Sequence, residues 1–311
     1  MKNNNEILLS KTFTVALIAL VCSLLWGSAF SGVKIGYEKL SIESSDWASQ
    51  MVFAGIRFSL AGIMALTFGS IKEKKLLLPS KKNVPNILVI SLFQTILQYF
   101  FYYIGLAHTT GVKAAIIVAA NVFIAIFISA MIFKTEKLTA PKIIGSIVGF
   151  AGIIVINIDG LKGGFNLNFL GDGFIFLCTV ASGFSSVFMK KYSSNVNPVL
   201  LSGWQFFIGG AVMWIFGMIC DGTLKINSIG SLLIIVYLSF VSAAAYSLWA
   251  ILLKHNPVSK VAVWGFLNPI CGVIISGFVL HETNSFGLYG AVALLLVCLG
   301  IYMVNKKKVE R

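Results

Sequence analysis

The sequence predicts an all-α integral membrane protein with ten transmembrane helices, arranged as two inverted repeats of five. Its composition is the first reason: 58% of the 311 residues are hydrophobic and 11% are charged, with a mean hydropathy of +0.91. A soluble domain of this size needs far more polar surface to enclose its core. The other two reasons are a series of ten apolar runs and an internal repeat that joins the two halves.

A bilayer core requires roughly 20 apolar residues per helix. Runs of that kind cover residues of about 13–35, 48–70, 84–107, 112–133, 140–158, 171–190, 198–220, 229–253, 258–280 and 286–304. The gaps between them are short, so the chain has no room for a folded extramembrane domain. We expect residues 1–158 to form the first five-helix repeat and residues 171–311 to form the second.

The repeat is visible in matched stretches of the first and second halves. Trp26–Lys34 returns as Ser182–Lys190, with a glycine, small hydroxyl residues and a closing lysine in both. In the second run Arg57–Gly62 matches Gln205–Gly210 in the seventh. Because each half holds an odd number of spans, the second half enters the membrane from the opposite side, which makes the repeat an inverted one.

The basic residues set the expected orientation. If the N-terminus is cytoplasmic, 18 of the 24 Lys and Arg residues lie at inner ends, five lie at outer ends, and Arg57 lies within a span. This is the positive-inside pattern, which places both termini in the cytoplasm and the protein in the cytoplasmic membrane. The net charge of +13 therefore does not indicate a nucleic-acid partner.

Enzyme and metal sites have no signature in the chain. The five cysteines are scattered through apolar runs without metal-ligand spacing, and His-Glu-x-x-His, Gly-x-Ser-x-Gly and the phosphate-binding Gly-x-x-x-x-Gly-Lys-Ser/Thr loop do not occur. We therefore predict no enzyme activity, no cofactor and no ATP hydrolysis. The expected partners are a small-molecule substrate and the lipid bilayer, and a homodimer stays open.

Several features together resemble a known family. These are ten spans in about 300 residues, a Trp-Gly-Ser first helix, Arg57-Phe58 matched by Gln205-Phe206, and Asn268-Pro269 followed after 13 residues by Glu282. The pattern is similar to the EamA-type ten-helix members of the drug/metabolite transporter superfamily. The resemblance implies a basket of helices around a central cavity and transport of small metabolites, commonly export of amino acids or related compounds.

The chain departs from this family pattern in two places. Phe123, which precedes Glu136 by 13 residues, stands where the family usually has a proline matching Pro269. The break of the fourth helix is thus an open question. The tenth span carries Gly290 and Gly300, spaced more widely than Gly145 and Gly152 in the fifth.

Polar residues within the spans are the candidates for a substrate site, because polar groups facing lipid are costly. Gln94, Gln98 and Tyr102 recur at every fourth position of the third span and form one polar stripe. The stripe either faces the substrate or joins helices by hydrogen bonds of about 0.6 kcal/mol each.

Arg57 is the one charge placed deep within a span. An unpaired guanidinium there costs at least about 2.5 kcal/mol, so a partner or water has to reach it. We assign Arg57, its counterpart Gln205 and the helix-breaking Pro269 structural or gating roles, with a substrate counter-ion as the alternative for Arg57.

Asn121 and Asn268 lie in the middle of the fourth and ninth spans. Pro269 removes a backbone donor beside Asn268 and frees carbonyl groups for other partners. A kink of this kind either contributes to a midplane substrate site or serves only helix packing.

Four aromatic residues lie away from the ends of their spans: Trp26, Tyr246, Trp249 and Trp264. They are candidates for an aromatic box around the substrate, with packing as the alternative. With the amide side chains they suit export of amino acids or similar amphipathic metabolites. Carriage of organic cations is the runner-up, followed by a non-transporting scaffold or sensor and a membrane enzyme.

All eleven acidic residues lie outside or near the ends of spans, which favours facilitated diffusion, exchange or coupling without a midplane carboxylate.

Overall fold

The computed structural model describes residues 4–43, 45–109, 111–158, 168–279 and 288–306, and its regular secondary structure is helical. A short N-terminal helix, Asn4–Ser10, precedes ten membrane helices. Helices 1 to 3 are Thr12–Lys39, Trp47–Glu73 and Val84–Ala107. Helix 4 consists of Gly111–Ala119, Asn121–Phe127 and Ile128–Ile132, and helix 5 is Ala140–Ile156. Helices 6 to 8 are Phe169–Ser193, Pro198–Ile219 and Ile229–His255. Helix 9 consists of Val258–Ala262, Val263–Phe266 and Leu267–Val279, and helix 10 is Leu288–Asn305.

These bounds follow the predicted apolar runs to within a few residues. Among the described residues, eight helices are long and apolar enough to cross a bilayer. Helix 5 is apolar but shorter, and helix 9 is divided by a 3-10 turn over Val263–Phe266. π-helical turns occur in helices 3, 4 and 6, at Ser91–Leu97, Ile128–Ile132 and Phe169–Gly173.

Polar caps begin several of the helices. Asp46 accepts a hydrogen bond from the Ser49 backbone N–H at the start of helix 2. Asn197 accepts bonds from two backbone N–H groups at the start of helix 7, where Pro198 takes the first position and its missing N–H is not required. These caps satisfy backbone donors that have no partner within the helix.

Helices 2 and 7 pack along their backbones and form one of the two largest helix contacts. A Cβ atom added to Gly62 would lie 2.6 Å from the Gly203 carbonyl oxygen, and one added to Gly210 would lie 2.7 Å from that of Gly55. The sequence repeat equates Gly62 with Gly210, and the same register equates Gly55 with Gly203. Each contact is therefore the counterpart of the other, as a two-fold axis between inverted repeats requires.

Helices 5 and 10 form the second such contact. A Cβ on Gly300 would lie 2.5 Å from the Gly145 carbonyl oxygen, and one on Gly152 would lie 2.8 Å from the Ala293 carbonyl oxygen. The structural counterpart of Gly145 is thus Ala293 and that of Gly152 is Gly300. This explains why the glycines of helix 10 are more widely spaced: Ala293 takes the place of one of them, because a small residue need not be a glycine to admit a neighbouring backbone.

The helix 2–helix 7 contact predicts a large effect of a single methyl group. We expect Gly62→Ala to destabilise the folded protein by about 1–3 kcal/mol, because the added Cβ meets backbone atoms that cannot rotate away. Thermal unfolding in detergent measures the change. Gly265→Ala is the matched control, since its Cβ would meet its nearest neighbour, Val122, at 4.0 Å. Equal melting temperatures for both variants would contradict the packing described here.

Candidate functional site

Aromatic rings from both repeats meet at the centre of the helix bundle. The Trp26 ring contacts Tyr246 and Trp249, each with centroids 5.1 Å apart. The hydroxyl oxygens of Tyr246 and Tyr99 lie 2.9 Å apart. Two phenylalanines complete this group, which we call the aromatic cluster: Trp26, Phe58, Tyr99, Phe206, Tyr246 and Trp249. Helices 1, 2 and 3 of the first repeat and helices 7 and 8 of the second contribute its members.

The aromatic cluster keeps accessible ring surface between the helices. Tyr99 and Tyr246 contact the rings of Phe58 and Phe206 from the two repeats. Both tyrosines keep intermediate accessible surface, as do Trp26 and Trp249. This surface is available to a small molecule, and an apolar lining with few polar groups is typical of small-molecule sites.

The polar stripe of helix 3 is divided in its surroundings. Gln94 lies in the π-helical turn and is buried, whereas Gln98 and Tyr102 lie in the following α-helical part and stay partly accessible. Gln98 lies beside Tyr246, and its amide oxygen has no hydrogen-bond partner in the protein. The Tyr102 ring contacts those of Tyr99 and Tyr103. Gln98 and Tyr102 therefore adjoin the aromatic cluster.

Arg57 lies next to the aromatic cluster and is 5% exposed. Its guanidinium carbon lies 4.4 Å from the centroid of the Phe58 ring and 5.9 Å from that of Phe53. The Nε atom has no hydrogen-bond partner. Within the described part of the chain, no carboxylate forms an ion pair with Arg57.

The counterpart of Arg57 in the second repeat has a different environment. Gln205 is fully buried, and its side-chain oxygen accepts a hydrogen bond of 2.6 Å from Thr95. Its backbone carbonyl accepts a bond of 3.0 Å from Ser91. Gln205 thus joins helix 7 to helix 3 through its side chain and its backbone carbonyl.

Helices 4 and 9 are interrupted at matched positions. Helix 4 has a turn at Ala120 and resumes at Asn121, and helix 9 resumes at Leu267 after its 3-10 turn. The fourth helix is therefore interrupted without the family's proline. Phe123, which takes the place of that proline, packs against Phe150 and Phe266. Pro269 lies in the segment that directly follows the 3-10 turn, and because it has no N–H it donates no bond to the carbonyl of Gly265, four residues earlier.

Asn121 and Asn268 each follow one of these interruptions. Their side-chain oxygens are buried and have no hydrogen-bond partner in the protein, and the same holds for the indole nitrogens of Trp26 and Trp264. Buried polar atoms are almost always paired, so unpaired ones require an explanation. Trp264 lies in the 3-10 turn and packs against two hydrophobic clusters. Among the described ring contacts, none joins Trp264 to the aromatic cluster.

Helix 1 begins and helix 10 ends at the same end of the bundle, where Glu136 joins several elements. Its carboxylate accepts hydrogen bonds from Lys142 Nζ at 2.6 Å, Ser129 Oγ at 2.8 Å and the Ser259 backbone N–H at 3.1 Å, and another from the Ser259 hydroxyl. The first turn of helix 9 is thereby tied to the helix 4–helix 5 connection. A carboxylate is favourable at a helix N-terminus, where free N–H groups point outward. The predicted counterpart, Glu282, lies outside the described residues.

These contacts set the ionisation of Glu136. Burial raises the pKa of this carboxyl, but the hydrogen bonds from Lys142 and Ser259 lower it more, so the pKa lies below its ordinary value. Glu136 is therefore an anion at neutral pH, paired with Lys142.

At the opposite end of the bundle, Asp172 in the first turn of helix 6 holds the helix 3–helix 4 connection. It accepts hydrogen bonds from the Thr109 hydroxyl and from the Asn168 backbone N–H at 2.9 Å, and Lys113 lies 4.0 Å away. A carboxylate network thus joins elements of the two repeats at each end of the bundle.

A family comparison agrees with this architecture. The model of the EamA-like transporter family matches residues 13–158 and again residues 169–306. The chain belongs to the EamA-like transporter family. As a member of this transporter family, the protein is a multi-pass membrane transporter and not an enzyme.

Relatives of this EamA protein span nearly the whole chain. The Bacillus subtilis (strain 168) protein named uncharacterized transporter YvbV is 29% identical over 96% of this chain and 93% of its own. The Escherichia coli (strain K12) uncharacterized inner membrane transporter YedA is 26% identical over 92% of this chain and 91% of its own. A solved crystal structure has the same fold, with a TM-score of 0.76 and 18% identity over 94% of this chain and 98% of its own.

Sequence reasoning for this EamA protein missed three members of the aromatic cluster. Phe58 and Phe206 serve as markers of the repeat in the pairs Arg57-Phe58 and Gln205-Phe206, and Tyr99 is adjacent to Gln98. Their stacking in space depends on helix rotation, which an apolar run does not specify. The paired Phe residues at matched positions were the one available signal.

Glu136 gives this EamA protein a testable dependence on pH. Because its pKa is lowered on folding, its contribution to stability is present above the ordinary glutamate pKa of about 4.3 and is lost as the pH falls through the lowered value. We expect Glu136→Gln to lower the melting temperature at pH 7 and to approach the unmodified protein at acidic pH. Thermal unfolding across this range measures the difference.

Glu43→Gln is the control for this comparison, because Glu43 is exposed. We expect its melting temperature to follow that of the unmodified protein at every pH. A Glu136→Gln variant with the same behaviour at pH 7 would show that the network does not stabilise the fold.

Proposed function

We propose that the protein is a secondary transporter of the cytoplasmic membrane that exports amino acids or related amphipathic metabolites by alternating access. The observation that carries the proposal is the aromatic cluster itself, to which both repeats contribute rings that keep accessible surface. Substrate sites of inverted-repeat transporters lie at the interface of the repeats near the bilayer midplane. Rings and amide groups suit a molecule with an apolar side chain and a few polar atoms.

Two features support alternating access. The Glu136 network and the Asp172 network close opposite ends, and each consists of hydrogen bonds that break when one end opens. The Lys and Arg distribution supports a cytoplasmic position for both termini, so that Glu136 faces the cytoplasm. We also propose that each EamA repeat, residues 1–158 and 171–311, moves largely as a unit.

The proposed driving force is the substrate's own gradient, by facilitated diffusion or exchange. The chain has no phosphate-binding loop for ATP, and none of the described carboxylates adjoins the aromatic cluster. Flux in proteoliposomes with and without an imposed pH gradient distinguishes the possibilities. Strict dependence on the proton gradient would contradict this part of the proposal.

Substitution of the cavity lining tests the function itself. We expect Trp26→Ala, Gln98→Ala and Asn268→Ala to reduce the flux of labelled apolar amino acids into proteoliposomes by about tenfold, the effect of losing about 1.4 kcal/mol of binding. Trp214→Ala is the matched control, because this tryptophan is 41% exposed on the outer surface of helix 7.

The outcome also separates the alternatives. Amines carried in preference to amino acids would favour an organic-cation carrier, which the aromatic rings could serve but which the nearby Arg57 charge disfavours. Absence of flux across amino acids, amines, nucleobases and sugars would favour a scaffold or sensor. Full activity of all three cavity variants would show that the lining is assigned wrongly.

A further inference from the structure

Arg57 is a buried cation without an anion. It is 5% exposed in the middle of an apolar helix, and the described protein groups around it offer rings and hydroxyls instead of a carboxylate. Five tyrosines lie close enough to interact with its charge: Tyr37, Tyr99, Tyr102, Tyr103 and Tyr246. A tyrosine hydroxyl is neutral at physiological pH, so these groups do not neutralise the guanidinium.

The duplication shows that helix packing alone does not demand this charge. Gln205 takes the matched position in the second repeat and forms its contacts to helix 3 as a neutral amide. Both residues precede a buried phenylalanine, and Phe58 and Phe206 stack with their centroids 5.2 Å apart. The two positions thus share a buried phenylalanine neighbour, but the positive charge belongs to one repeat only. A costly buried charge of this kind within a membrane helix indicates a functional role.

The guanidinium also lies beside the proposed substrate cavity. The Phe58 ring next to the guanidinium contacts the Tyr99 ring, with centroids 4.4 Å apart. Tyr99 is hydrogen-bonded to Tyr246, whose ring contacts Trp26. An anionic group bound at Arg57 would leave the rest of the molecule against the aromatic cluster. The Nε atom, which has no protein partner, is part of the planar fork that binds carboxylates by two parallel hydrogen bonds.

We propose that Arg57 binds the carboxylate of the transported substrate, and that the site recognises this carboxylate and not the ammonium group. The inference rests on the proposed transport function and deepens it. No described carboxylate adjoins the cluster to pair with an ammonium ion. The substrates are accordingly monocarboxylates with an apolar or aromatic side chain, and an α-amino group is tolerated but not required.

Three matched ligands test this inference on the unmodified protein. Phenylalanine carries both charged groups, phenyllactate lacks the ammonium group, and phenethylamine lacks the carboxylate. We expect phenylalanine and phenyllactate to bind with affinities within about tenfold of each other, and phenethylamine to bind about 10- to 100-fold more weakly, as expected for losing a charge-assisted hydrogen bond. Calorimetry of the purified protein and counterflow in proteoliposomes measure binding and transport.

The variant Arg57→Gln copies the second repeat and removes the charge. We expect it to lose the preference for the two carboxylates, while Lys39→Gln, which removes a charge from an exposed side chain, keeps it. Arg57→Lys keeps the charge without the fork, and we expect an intermediate preference. Because the ligand comparison on the unmodified protein needs no variant, it decides the inference even if Arg57→Gln fails to fold.

The outcomes separate this inference from the proposed function. Equal binding of phenethylamine, or an unchanged preference in Arg57→Gln, would overturn the role of Arg57 and leave transport intact. If none of the three ligands binds or is transported, the inference is overturned together with the amino-acid class proposed above.

Discussion

The structure depends on close backbone contact between helices that the inverted repeat makes equivalent. At Gly62 and Gly210 in helices 2 and 7, and at Gly145 and Gly300 in helices 5 and 10, a side chain would collide with the backbone of the partner helix. Lipid tails are as apolar as the helices, so association in a bilayer relies on such packing instead of on the hydrophobic effect. The helix 2–helix 7 and helix 5–helix 10 contacts hold the two repeats together, and the remaining helices pack around them.

The position of the aromatic cluster follows from the close packing of helices 2 and 7. Arg57 and Phe58 lie on the same helix as Gly55 and Gly62, so the cation and the aromatic cluster are placed beside the most tightly packed part of the molecule. The carboxylate networks at the two ends are formed by side chains and helix termini, which rearrange more easily than packed backbones. Helix pairs that stay packed, between two ends whose contacts can separate, suit a transporter that exposes one site to the two sides in turn.

Much of the fold was predictable because membrane helices need long apolar runs and because duplication leaves repeated residues. The ten runs, the matched pairs Arg57–Gln205 and Trp26–Ser182, and the broken ninth helix at Pro269 were all readable in the sequence. The interruption of helix 4 was not, since no proline marks it, and the equivalence of Gly145 with Ala293 was hidden because alanine also permits close approach. The tryptophan and amide side chains of the candidate site were readable in the sequence as polar and aromatic residues within spans. The rings that surround Arg57 were not readable, because the rotation of each helix decides which side chains face it.

We expect the two ends of the bundle to open alternately while helices 2 and 7 stay packed against each other. Electron-electron double resonance on a cysteine-free background tests it with three pairs of spin labels: Lys137 with Lys254 at the end that carries the termini, Lys39 with Asn168 at the opposite end, and Ile63 with Val212 across helices 2 and 7. On addition of a transported substrate, we expect the Lys137–Lys254 and Lys39–Asn168 distances to change in opposite directions, while the Ile63–Val212 distance stays constant. Both ends widening together, or a shift across helices 2 and 7, would contradict it.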